Sequence, residues 1–206
     1  MKTKTITEKR KSLSLKVEGD TLIIKRPFGL NDEVVNDFIK KKEDWIQKQL
    51  KFNQIFKISF ESDLVLMNQA IKLIYVKDKD NIIKNADTWV VSASTQSKAL
   101  GLVERECHEL LLNKINERIN VLHKIKPFNY SAIKIKNLKA SWGNCNSRRE
   151  LSFAFRLIHM KESFIDSVIA HEVSHLFVMN HSPAFYHVLS QFDPNYRSSI
   201  KDLLDQ

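Results

Sequence analysis

Residues 165–186 read IDSVIAHEVSHLFVMNHSPAFY, and this stretch decides what the rest of the chain has to build. Within it, His171-Glu172-Val173-Ser174-His175 is an H-E-x-x-H. Four residues is slightly more than one helical turn, so the two histidines stack on one helix face and can grip one metal ion. Glu172, beside the first of them, reaches a water activated by that ion and takes its proton as general base. A catalytic zinc uses three protein ligands and keeps a fourth position open. His181, ten residues after His171, has the spacing of the longer H-E-x-x-H-x-x-G-x-x-H pattern. Val178 stands where that pattern has glycine. Asn180 is then the residue expected to end the helix in a left-handed conformation and turn the chain back.

A lone histidine on an apolar helix is more often a core residue, and a bare H-E-x-x-H is a known false positive. Three features favour a metal site here. The flanks Val168, Ile169, Ala170, Val173, Leu176 and Phe177 are apolar, which makes this a buried helix. Two histidines and a carboxylate are unfavourable in such a place unless something satisfies them. A third histidine also arrives at a workable distance.

The whole chain has 206 residues, 43% of them hydrophobic, enough for one domain or a domain with a small lobe. Its formal charge is +9. The lysines are spread along the chain, with clusters at Lys9-Arg10-Lys11 and Lys40-Lys41-Lys42. A lysine-rich solvated surface is the plain reading, and attraction to nucleic acid the functional one. Cys107 and Cys145 are far apart and form no C-x-x-C, which suits a reducing compartment. The N-terminus MKTKTITEKRK has no apolar core of a secretory signal, and no segment approaches 18 apolar residues. A cytoplasmic protein with no membrane partner is expected.

Ahead of the metal helix, residues 12–17 and 21–25 read as a hairpin turning at Glu18-Gly19-Asp20. Asn31 caps a helix that runs to about residue 50, with Val34, Val35, Phe38, Trp45, Ile46 and Leu50 as its apolar stripe. Residues 64–67, 71–76, 81–83 and 89–91 form short strands, expected as a meander continuing the first hairpin. Residues 97–124 are helical, with Leu100, Val103, Cys107, Leu110, Leu111, Ile115, Ile119 and Leu122 at steps of three and four. Residues 133–138 and 150–157 alternate as strands and read as a second hairpin, its long tip holding Trp142, Gly143, Cys145, Arg148 and Arg149.

An edge strand beside a metal helix pairs with extended substrate, and Trp142 and Gly143 suit such a rim. Trp142 as an anchor of the loop to the core is the equal alternative. Cys145 as a fourth ligand would close the site and is not expected. Arg148 and Arg149 read as exposed loop residues or anion contacts. After the metal helix, Ser182-Pro183 starts another helix, which ends at Asp193-Pro194. His187 falls on its surface. A last helix is expected over residues 195–204.

From Ser12 onward the chain resembles the YgjP-like metallopeptidase family, relatives of the SprT and WLM zincins. The resemblance is carried by SLSLKV, RPFGL and DWIQKQL, then by SWGNCNSRRELSF. It is tightest over FRLIHMKESFIDSVIAHEVSHLFVMNHSPAFY and the trailing PNY. Ser174 stands where the family often has alanine, and neither it nor Phe177-Val178 touches a ligand position. The resemblance implies zinc on His171, His175 and His181, with Glu172 catalytic.

The reading is therefore an α+β protein. A β-rich lobe with one helix spans residues 1–96. A zincin-like lobe spans 97–206, with a long helix and a hairpin flanking the metal helix, unless both share one YgjP-like domain over residues 12–206. The expected activity is zinc-dependent hydrolysis of a peptide or protein substrate. Tyr186, Tyr196 and Arg156 are candidates to bind substrate and stabilise the oxyanion. Asp166 either orients a ligand histidine or caps the metal helix. The alternatives are a basic protein associated with nucleic acid, acting on DNA-bound protein as the SprT relatives do, and a non-catalytic zinc module.

Overall fold

In the computed structural model, which describes residues 2–138 and 140–198, the chain packs as two units, Met1–Lys57 and Ile58–Gln206. The first begins with β1 (Lys2–Thr7), β2 (Ser14–Glu18) and β3 (Thr21–Arg26). β2 and β3 form the expected hairpin, whose turn uses Gly19 at φ 59°. β1 was not anticipated. It joins parallel to β3, giving the order β1-β3-β2. Its sequence KTKTIT is almost wholly polar and exposed, so it carries no hydrophobic alternation to read.

Two helices follow instead of one, α1 (Asp32–Lys41) and α2 (Glu43–Ile55). Asn31 does cap α1, its side chain accepting from the Glu33 N–H. The chain breaks at Lys42, where Lys40 and Lys41 end α1 and Glu43 and Asp44 begin α2. Each charge pair complements the dipole at its own helix end. Leu22, Ile24, Val35 and Ile46 form the core of this unit, while Val34 and Trp45, assigned to the stripe, are exposed.

The second unit opens with β4 (Leu64–Leu66), β5 (Gln69–Lys77), β6 (Asn81–Lys84) and β7 (Thr88–Ala93). They form a separate sheet in the order β4-β5-β7-β6, with β5 and β7 parallel. This replaces the expected meander. Thr95 caps α3 (Gln96–Ile125), its hydroxyl accepting from the Lys98 N–H. The buried face of α3 carries Ala99, Val103, Cys107, Leu111, Ile115, Ile119 and Leu122. The expected boundary near residue 97 therefore coincides with the start of α3, inside the second unit.

A third sheet holds β8 (Ala132–Lys136), β9 (Gly143–Cys145) and β10 (Glu150–Ala154), in the order β8-β10-β9. β8 and β10 are parallel, so they are not the arms of a hairpin. The hairpin is β9 with β10, and β9 is left at the sheet edge. In all three sheets the later strand inserts beside the earlier one and pushes the middle segment to the edge. After a short 3-10 helix over Phe155–His159 come α4 (Glu162–Ser174) and α5 (Pro183–Phe192). The helix expected over 195–204 lies, beyond residue 198, outside the described residues. Among the described residues, no helix is long and apolar enough to cross a membrane.

Candidate metal centre

α4 is apolar nearly all round, with Phe164, Ile165, Val168, Ile169, Ala170 and Val173 buried. Its packing against α3, α5 and β9 fixes the position of its C-terminal turn. His171 lies in that turn and His175 is the C-cap. The chain then folds back through hydrogen bonds from Leu176 N to Val173 O and from Phe177 N and Val178 N to Ser174 O. Asn180 is not left-handed: among the described residues, those with positive φ other than glycine are Met67, Asn68 and Arg149. The return is made by these successive turns, so neither glycine nor Asn180 has to adopt the unusual conformation. Ser182 occupies the α5 N-cap position with Pro183 inside the first turn, though its side chain makes no capping bond.

This path brings His181 to His171 and His175. The three Nε2 atoms converge, with His171 3.2 Å from His175 and 3.1 Å from His181. Donors on a tetrahedral ion at about 2.05 Å lie about 3.3 Å apart, so the donor set fits a divalent metal. The three histidines form the described group able to hold an ion. His175 Nδ1 lies 3.1 Å from the Val178 carbonyl. Donating there leaves the Nε2 lone pair for the metal. Burial and its histidine neighbours lower the His171 pKa to about 4, and burial lowers that of His175. Both are therefore neutral, as ligands must be, at physiological pH.

Beneath the three imidazoles lies Phe185, fully buried on α5. Its ring centroid is 4.9 Å from that of His171, 4.5 Å from His175 and 4.8 Å from His181. The phenyl ring thus acts as a floor limiting the tilt of every ligand. Reading the sequence missed this residue; its signal was a large apolar residue four positions after His181, on the buried face of the next helix.

Glu172 is buried, and burial raises its pKa to about 8 against the opposing hydrogen bond from the Cys145 backbone N–H. β9 brings two things to it. One is that N–H; the other is Gly143, where a Cβ would lie 2.6 Å from both Cγ and Oε1 of Glu172. Gly143 was expected at a substrate rim. Its absent side chain also makes the space the carboxylate occupies. The Cys145 thiol is buried and belongs to no metal-binding group among the described residues.

The other candidates divide. Trp142 packs edge-on against Phe164, with centroids 5.2 Å apart, and under the Arg156 guanidinium at 4.2 Å. It is both anchored and part of a cleft of about 340 Å³ that reaches Glu172 and His171. Arg156 also donates to the Ser141 carbonyl at 3.3 Å. Tyr186 stacks on Tyr196 at 6.0 Å and lies 6.4 Å from the His181 ring. The Tyr196 hydroxyl accepts from Arg197 Nε at 2.9 Å. Asp166 pairs with Lys114 on α3 at 3.4 Å rather than with a ligand histidine, and the α4 N-cap is Lys161. His187 sits beside Gln191 on α5. Arg149 is the exposed loop residue expected, and it also ties the Asn129 carbonyl at 2.9 Å to the Leu176 carbonyl at 3.3 Å. It thereby clamps the turn between His175 and His181.

A family described as "YgjP-like, metallopeptidase domain" matches residues 11–206. No curated protein matches the chain. Among solved structures, the metallopeptidase zymogen of Pyrococcus abyssi abylysin is similar at 17% identity and a TM-score of 0.39. That similarity covers 44% of this chain and 90% of the other.

Proposed function

The chain belongs to the YgjP-like metallopeptidase family, and from that premise we propose that it is a zincin-like, zinc-dependent peptidase with Glu172 as its general base. The observation that carries the proposal is the convergence of three histidine Nε2 atoms beside a buried carboxylate on the same helix. A zinc ion held by His171, His175 and His181 supplies Lewis acidity to a carbonyl and makes a neighbouring water more acidic. Glu172 accepts the proton of the attacking water and later returns it to the leaving amine. Burial raises its proton affinity, which suits a group that takes a proton and gives it back. The Cys145 N–H orients the carboxylate, and Gly143 leaves it room. β9, at the sheet edge next to α4, is the strand an extended peptide would run beside, with its Cys145 N–H already held by Glu172.

The test is hydrolysis of a mixed peptide pool by purified protein. Chelation is expected to abolish cleavage, zinc to restore it, and Glu172→Gln to lower it by on the order of 1,000-fold or more with folding intact. Full activity in Glu172→Gln would remove the carboxylate from the mechanism.

A further inference from the structure

The cleft of about 340 Å³ beside Glu172 is walled by one face of α4 and by the segment leading into β9. From α4 come Phe164, Ser167, Val168 and His171, at helical steps of three, four and seven. From the β9 side come Ser141, Trp142 and Gly143. Phe164 and Val168 are only 5% and 8% exposed, so they form a floor rather than a rim. The Ser167 hydroxyl is turned away into a bond with Asp193 and offers the cleft no free donor. The floor therefore presents carbon, and the one carboxylate at its end is Glu172.

We propose that this cleft is a specificity pocket for one large apolar side chain of the substrate next to the scissile bond. The proposal rests on the peptidase reading and adds to it a substrate class: peptides with Phe, Leu or Met at that position. Size supports a single side chain, since the cleft lies at the small end of the about 300–1,000 Å³ usual for ligand sites. Charge supports an apolar one. An acidic side chain would meet the Glu172 carboxylate, and a basic one would pair with Glu172 and take the base out of service. Position ties the pocket to the chemistry, because His171 and Glu172 are themselves part of its wall. Trp142 closes one side, held between the Phe164 edge and the Arg156 guanidinium.

The experiment gives zinc-loaded full-length protein a set of peptides that differ at one position. Peptides with Phe, Leu or Met are expected to exceed the Ala peptide in kcat/KM by about 10- to 100-fold, the range that burying such a side chain supports. Val168→Phe, which fills the floor, is expected to pull the Phe-to-Ala ratio toward one while zinc content stays at wild-type level. Phe164→Ala, which deepens the floor, should move the optimum toward Trp. Calorimetric binding of the same peptides to Glu172→Gln reads the preference without turnover. Cleavage with no preference, or a ratio unmoved by either variant, overturns the pocket. If nothing is cleaved but Glu172→Gln still binds Phe over Ala peptides, the pocket stands and the peptidase reading falls. No preference in either assay overturns the pocket as well.

Discussion

Replacing Gly143 with alanine separates the positioning of Glu172 from metal binding. The added Cβ would sit 2.6 Å from Cγ and Oε1 and 2.8 Å from Cδ of Glu172. Ordinary carbon contacts lie at about 3.5–4.0 Å, so the overlap approaches about 1 Å on three atoms. The Gly143 backbone does not have positive φ, so alanine brings no conformational strain of its own there. The clash falls in mid-chain on a buried side chain that also accepts the Cys145 N–H. Glu172 must therefore shift bodily, by roughly 1 Å. A 1 Å misplacement of a reacting group lowers rates by about 100-fold, and overpacking lowers stability by about 1–3 kcal/mol. The three nearest atoms all belong to Glu172, so the clash falls first on the carboxylate and bound metal should remain at wild-type stoichiometry. The assay measures peptide hydrolysis, metal content and thermal unfolding on one preparation. Wild-type kcat in a folded, metal-loaded Gly143→Ala protein would refute the reasoning.

Phe185→Leu removes the ring under all three imidazoles. It should weaken metal affinity by about 10- to 100-fold, the range seen when the support of ligands is lost, read by competition with a chelator. Leu111→Ala, at a fully buried position on α3, should lower unfolding free energy by about 2–5 kcal/mol in denaturant titration. His159 is buried with its pKa lowered, chiefly by burial, and its Nδ1 is 2.6 Å from the Val65 carbonyl. Above about pH 6.5 it is neutral both folded and unfolded; below that the unfolded chain takes up the proton first, so stability is lost as pH falls. Metal-free wild type should lose stability from pH 7 to 5 more steeply than metal-free His159→Asn, by up to about 1.4 kcal/mol per pH unit.

The metal helix and α3 were legible because their signals are local. Ligands four apart on a helix, and apolar residues at steps of three and four, leave their period in the chain whatever packs beside them. Sheet order was not legible. Strands β8 and β10 alternate as hairpin arms would, and nothing local says that β9 pairs between them in sequence yet outside them in space. The β4–β5 turn hid for a related reason: Met67 and Asn68 adopt positive φ without the glycine that usually announces such a hairpin. The break between α1 and α2 does leave a mark, the switch from the basic cluster Lys40-Lys41-Lys42 to Glu43-Asp44. At the site, the Phe185–His171, Gly143–Glu172 and Arg149–Leu176 contacts span 14 to 29 residues of chain, which periodicity does not report.

Elemental analysis of the purified protein tests the central claim most directly, comparing wild type with His181→Ala and Glu172→Gln. The account predicts one zinc per chain in wild type, its loss or marked weakening in His181→Ala, and its retention in Glu172→Gln. Full metal in His181→Ala, or none in wild type after reconstitution with zinc, would contradict it.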